Sequence, residues 1–397
     1  MFARYRSVLS VPGCARVLGT ALIARLPQGM TSLGILLLIR SHTGSYAAAG
    51  IAVGAYDFAT AAGAPLVGRL VDRFGRRRVL GPGAVLQTTV LVALVVAAGA
   101  GAGAAPLIVL SALAGGLWPP IAPSVRALLR DLVRDARARE TAYALESVIQ
   151  ELVWITGPLV VAGVIAFASP ATAVLLSGTV SICGTLLFIS SPAALGRGSR
   201  EATHRRVPVL AIPELRALLG PIFLNGLAIG AIAVGLPALA LHSGSRPASG
   251  LLLALWSVGS ITGGLWYGSR EWRAPLTARY RALLWTGVIC MAPLIAARTI
   301  PEGVVGAVLA GLVIAPVFSC QYALVGRTVP SGVETEAFTW VSSALVGGLA
   351  AGSALGGGAV SAGGVGAPFV IAVMAMGLAA VSALRMPAGA EQPIGRA

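Results

Sequence analysis

Long apolar runs, separated by short polar intervals that carry arginine, occupy most of the chain. A bilayer core about 30 Å thick takes about 20 apolar residues per helix. Twelve runs of that order can be read, near 17–39, 47–67, 79–100, 105–128, 142–166, 171–190, 217–241, 248–268, 282–297, 303–325, 338–359 and 366–384. The third, ninth and twelfth have the least definite edges. The runs are continuous rather than alternating, which excludes the strands of a membrane barrel. The pattern predicts an all-α membrane protein with twelve transmembrane helices.

Composition agrees with that reading. The 397 residues are 56% hydrophobic with a mean hydropathy of +0.86. Only 11% are charged, against roughly 25% in soluble domains. A net charge of +15 would point to nucleic acid in a soluble chain. Here every basic residue is arginine, and the arginines sort by position. Twenty-five fall before the first run, in alternate intervals or after the last run, among them Arg69 to Arg78 and Arg126 to Arg139. Only Arg40, Arg246 and Arg298 fall in the other intervals, and Arg25 lies inside the first run. By the positive-inside bias both termini are cytoplasmic, N-in and C-in. The basic charge marks a membrane face, and no nucleic-acid partner is expected. The first run is too long for a signal peptide and lacks a small-residue cleavage site, so it is expected to remain as a span. No apolar stretch precedes Cys14 to make a lipoprotein signal.

An internal repeat organises the spans. At an offset of 196, Gly115 and Pro120 fall on Gly311 and Pro316, Gly68 on Gly264, and Glu140 on Glu336. Leu18-Gly19 matches Leu219-Gly220 at an offset of 201. Spans one and seven start on the same face, so the repeat is parallel. The expected organisation is an N-terminal six-helix bundle over 1–190, a polar cytoplasmic linker over 191–215, and a C-terminal six-helix bundle over 216–397.

The interval after the second span reads Gly68-Arg-Leu-Val-Asp72-Arg73-Phe-Gly75-Arg76-Arg77-Arg78-Val-Leu80. It resembles the signature loop of the major facilitator superfamily, G-x-L-x-D-R-x-G-R-[RK]-x-x-L, at every defined position. Gly68 suits a close helix approach, Gly75 a turn of positive φ, and Asp72 can pair with arginines or cap a neighbouring helix. A second copy at Gly264-Leu-Trp-Tyr-Gly268-Ser-Arg270 lacks the aspartate. The resemblance implies a midplane substrate cavity between two halves that alternate access. It also implies a gating role for Asp72, Arg73 and Arg76, in a loop shaped by Gly68 and Gly75 and extended by Arg77.

Gly157-Pro158-Leu-Val-Val-Ala-Gly163 in span five resembles the Gly-Pro motif of the drug–proton antiporters of that superfamily. A small-residue packing surface explains the same residues. Those exporters usually carry an arginine within span four, whereas here no charge precedes Arg126 at the span's end.

Ionisable residues inside a membrane are costly and mark function. Arg25, Asp57, Glu146 and Glu151 fall inside spans, and a rise of 1.5 Å per residue puts Arg25, Asp57 and Glu151 in one slab near mid-depth. One reading is an Arg25–Asp57 pair that fixes packing. The other is proton exchange at Asp57 or Glu151 with Arg25 as partner, Glu151 being preferred because Arg25 would occupy Asp57. Gln28, Gln150, Trp154, Asn225, Trp256 and Trp340 lie at comparable depth as cavity candidates. The cysteines read as buried small hydrophobes, and His42, His204 and His242 sit in loops, so neither a metal site nor a cofactor is expected. No phosphate-binding G-x-x-x-x-G-K-[ST] loop or G-x-S-x-G elbow is present, so neither a primary pump nor a hydrolase is expected. The expected function is proton-coupled export of small hydrophobic or cationic molecules by a monomer in a bacterial inner membrane. The alternatives are an importer or facilitator of a sugar or organic acid and, more remotely, a membrane sensor.

Overall fold

A computed structural model describes residues 2–191, 208–330 and 332–386, and among these the chain is helical with no strand. A short helix, α1 (Phe2–Leu9), leads into α2 (Cys14–Thr43), α3 (Tyr46–Phe74), α4 (Arg76–Gly99), α5 (Ala104–Gly116), α6 (Ile121–Leu132), α7 (Ala136–Phe167) and α8 (Pro170–Ile189). After a 3-10 turn at Val209–Ala211 come α9 (Pro213–His242), α10 (Arg246–Ser269), α11 (Leu276–Met291), α12 (Pro293–Ala296), α13 (Ile300–Gly311), α14 (Ile314–Thr328), α15 (Glu334–Gly363) and α16 (Ala367–Ala383). Most of the expected linker, residues 192–207 with His204, lies outside the described residues.

Among the described residues, ten helical stretches are long and apolar enough to cross a membrane, α5–α6 and α13–α14 counting as one each. The ninth and twelfth expected runs fall on shorter helices. Arg279 and Arg281 reduce the apolar length of α11, and α16 has 17 residues. Large apolar side chains such as Phe58, Phe167 and Ile289 face outward, as in a protein whose surroundings are lipid. The fourth and tenth runs are each broken near the middle. Pro119 and Pro120 have no N–H to donate, so α5 ends at Gly116 and α6 restarts at Ile121. The second break, between Gly311 and Ile314, occupies the corresponding place in the repeat.

Helices α2–α8 pack mainly on one another, as do α9–α16. The two groups meet chiefly where α3 crosses α15 and where α7 crosses α10 and α14. Small residues allow the tightest crossings. A Cβ at Gly157 would meet the Gly29 backbone 2.6 Å away, so this part of the exporter-like motif joins α7 to α2, while Gly163 has open space beside it. Gly348 and Gly352 lie against the backbone of α9 at Phe223 and Leu227.

Two details differ from expectation. His42 and His242 occupy the last turns of α2 and α9 rather than loops. Cys183 is exposed on α8, and Cys290 is half-buried; Cys14 and Cys320 are buried. No group of three metal-ligating side chains forms among the described residues.

Candidate functional site

Between the two groups lies a cavity of about 430 Å³. Arg25 and Gln28 of α2, Arg126 of α6, and Gln150, Glu151 and Trp154 of α7 line one side. Trp256 and Ser260 of α10, Tyr322 of α14 and Ser342 of α15 line the other. Most of the remaining wall is apolar, with a few polar groups converging on it, the usual make-up of a small-molecule site.

The charges are not paired as the sequence suggested. Arg25 Nη1 donates to Glu146 Oε1 at 2.9 Å, and its Nη2 donates to Gln150 Oε1. Arg126 Nε donates to the same Glu146 oxygen at 3.1 Å. Arg25, Glu146 and Arg126 are 1%, 0% and 3% exposed, so all three ions are withdrawn from solvent. The guanidinium of Arg126 also lies 3.8 Å from the centre of the Tyr322 ring, a cation–π contact, and reaches Ser342 Oγ at 3.3 Å. The Arg25–Asp57 pair is absent: Asp57 accepts from Ser32 Oγ at 2.9 Å and does not line the cavity. The assignment of Arg126 to a surface interval is corrected too. Because α6 restarts after the proline pair and runs on to Leu132, Arg126 sits in the helix body rather than at its end.

Glu151 is differently placed. It has no ion-pair partner among the described residues and accepts from Ser260 Oγ at 3.0 Å. Since Glu151 is on α7 and Ser260 on α10, this carboxyl bridges the two groups of helices beside the cavity.

Of the other candidates, Gln28, Gln150, Trp154 and Trp256 line the cavity, whereas Asn225 and Trp340 do not. Asn225 is fully buried, and neither of its amide atoms has a hydrogen-bond partner. Arg126, Ser260 and Tyr322 were missed in the sequence. Arg126 had a legible signal in the Pro119-Pro120 break that draws it inward; Ser260 and Tyr322 had none.

Below the cavity, the arginine-rich end is closed by bonds between the two groups. Asp72 accepts from the backbone N–H groups of Thr335 and Glu336 at 3.2 and 2.8 Å. It supplies the anion at the N-terminus of α15, where Val333 provides no side-chain cap. Arg69 forks onto Glu336 at 3.1 and 2.7 Å, and Arg130 reaches Glu334 at 3.3 Å. Gly68 permits this approach, since a Cβ there would meet Thr339 Oγ1 at 2.7 Å. Gly75 has φ 88° at the turn into α4. Arg73 lies over the Phe74 ring at 4.9 Å. In the related position of the repeat, Glu140 accepts from Arg279 at 2.8 and 2.9 Å and from Arg327 at 2.8 Å. Tyr5 of α1 donates to the Leu265 carbonyl at 2.7 Å; burial pushes its phenol up to about 12, so it stays a donor at neutral pH. Toward mid-depth the two groups are also joined by Glu151–Ser260 and by Ser343 Oγ, which donates to the Ala61 carbonyl at 2.5 Å.

Residues 17–269 match the family model described as Major Facilitator Superfamily. No curated protein matches the sequence. Among solved structures, the human organic anion transporter MFSD10 (TETRAN) is similar over 94% of this chain and 100% of its own, at 18% identity and a TM-score of 0.74. A bacterial homologue of the iron transporter ferroportin, in an outward-facing state, is similar over 94% and 99%, at 15% identity and a TM-score of 0.79. The proton:xylose symporter XylE is similar over 94% and 96%, at 14% identity and a TM-score of 0.72. At these identities the likeness is one of fold.

Proposed function

The chain belongs to the major facilitator superfamily, and from that premise we propose that it is a proton-coupled exporter of small, largely apolar molecules. Twelve crossings, N-in and C-in, form two six-helix bundles over 1–190 and 216–397, joined by the cytoplasmic linker 191–215. The arginine-rich end is cytoplasmic by charge bias. The bonds gathered there close the cavity to the cytoplasm, giving an outward-open state.

The observation that carries the coupling is the Glu151–Ser260 bridge. A carboxyl with no cation beside it gains and loses a proton without breaking an ion pair. Glu146, held by Arg25 and Arg126, has no such freedom. Because Glu151 faces the cavity from one bundle and bonds the other, its proton exchanges with whichever side the cavity opens to, and its protonation bears on the fit between bundles. Asp57, bonded to Ser32, is the second proton candidate.

Counting Arg126 among the buried charges makes two arginines against Glu146 and Glu151. The site is balanced when both carboxyls are ionised and carries one net positive charge when one is protonated. Arg25 alone against the carboxylates within the spans would favour a cation; with Arg126 counted that basis is lost, and a neutral or anionic molecule with an apolar body suits the site. The test is a solute-panel flux assay in inside-out vesicles with and without a proton-motive force. Accumulation inside these vesicles only when protons can leave them supports export; accumulation of a sugar or organic acid in the opposite direction overturns it in favour of import.

A further inference from the structure

A second hollow, of about 680 Å³, opens at the arginine-rich end between α7 and the connection from α10 to α11. Eight arginines and two glutamates line it. Four of the arginines are engaged: Arg4 with Glu271, Arg279 and Arg327 with Glu140, and Arg130 with Glu334. The other four, Arg137, Arg139, Arg270 and Arg273, have no ion-pair partner among the described residues, although Arg270 lies over the Trp266 ring. Arg279 is 7% exposed, and its Nε is buried without a hydrogen-bond partner.

A basic membrane face accounts for arginines spread over a surface. It does not account for eight drawn from six elements and connections into one concavity. The repeat sharpens the contrast. At the offset of 196, Gly268 stands where Asp72 stands in the first half. Around Asp72 the arginines face four carboxylates, those of Asp72, Asp131, Glu334 and Glu336. Around Gly268 the aspartate is missing and the hollow is acid-poor. A Cβ at Gly268 would meet Ala144 and the Tyr5 hydroxyl at 2.6 Å, so no longer side chain from this position can restore the charge.

We propose that this hollow binds a phosphate-bearing anion, which supplies from outside the negative charge that Asp72 supplies in the first half. Guanidinium groups fork onto phosphate oxygens with two parallel bonds each, and clustered guanidiniums otherwise repel one another. The ligand joins Arg137 and Arg139 of one half to Arg270 and Arg273 of the other, and so favours the closed arginine-rich end. A lipid headgroup at the membrane surface and free phosphate present the same chemistry.

The test uses the full chain in nanodiscs at physiological salt. Trp272 lines the hollow, its ring stacked 5.0 Å from that of Tyr267, and provides an intrinsic fluorescence signal, with Trp272→Phe as the blank. Inorganic phosphate is titrated into phosphatidylcholine discs, and phosphatidylglycerol is added in a parallel series, with retained lipid counted by native mass spectrometry. The Arg137→Gln/Arg273→Gln variant is compared with Arg16→Gln/Arg216→Gln, which removes the same charge from exposed positions away from the hollow. Saturable binding of phosphate or of phosphatidylglycerol, weakened about tenfold in the first variant only, is the expected result. Phosphate binding unaffected by phosphatidylglycerol identifies the free anion as the source; loss of phosphate binding on adding that lipid identifies the headgroup. No saturable binding of either, or equal weakening in both variants, overturns the proposal.

Discussion

Glu146 carries Arg25 and Arg126 on one carboxylate oxygen, in a place where none of the three meets solvent. Removing one partner from such a cluster leaves buried charge uncompensated, at a cost of about 3–5 kcal/mol. Glu146→Gln is therefore expected to lower thermal stability sharply in detergent. Glu151→Gln, which breaks no ion pair, is expected to melt close to the wild type; a scanning-fluorimetry comparison of the two checks this. The sequence showed that four ionisable groups lie within spans but not how they pair. Depth along a helix was legible from 1.5 Å per residue, whereas the direction each side chain takes around the helix depends on packing. Arg25 thus meets Glu146, which depth alone placed outside its slab, and misses Asp57, which depth placed inside it.

At the scale of elements, Asp72 joins α3 to α15 and Gly157 joins α7 to α2. Asp72 caps α15 from α3, so Asp72→Asn removes a charge from a helix N-terminus, an interaction of about 0.3–1 kcal/mol at the surface and up to about 2 when partly buried. The expected outcome is a severalfold faster reaction of a cysteine placed at the buried Thr339 with a thiol reagent, measured after the four native cysteines are replaced. In α7, Gly157→Leu is expected to impair folding, because Gly29 already fills the space, while Gly163→Leu is expected to be tolerated. Expression and melting temperature separate them. The signature loop was legible because its glycine and aspartate spacing is specific. The breaks in the fourth and tenth runs were marked by proline and glycine, but their effect on Arg126 was not. A span edge set by hydropathy at 128 hides a helix that continues to Leu132.

The whole molecule repeats one device. Glu336 with Arg69 and Glu140 with Arg279 and Arg327 occupy corresponding places in the two halves and hold the same end shut. Glu140→Gln and Glu336→Gln are each expected to open that end partly, and the double variant more than either alone, as read by distances between spin labels across it. The apolar runs made the all-helical architecture legible, and the loop after the second run made the family legible. The cavity lining from the second half was not, because Ser260 and Tyr322 carry no charge to distinguish them from ordinary helix contacts. The central claim is that Glu151, at the boundary between the halves, carries the coupled proton. Its most direct measurement is solute-evoked proton movement in proteoliposomes loaded with a pH dye and supplied with a transported member of the solute panel. Wild-type protein and Asp57→Asn are expected to move protons with solute, while Glu151→Gln continues solute exchange without proton movement or uphill accumulation. Glu151→Gln protein that still moves protons with solute at the wild-type ratio contradicts the account.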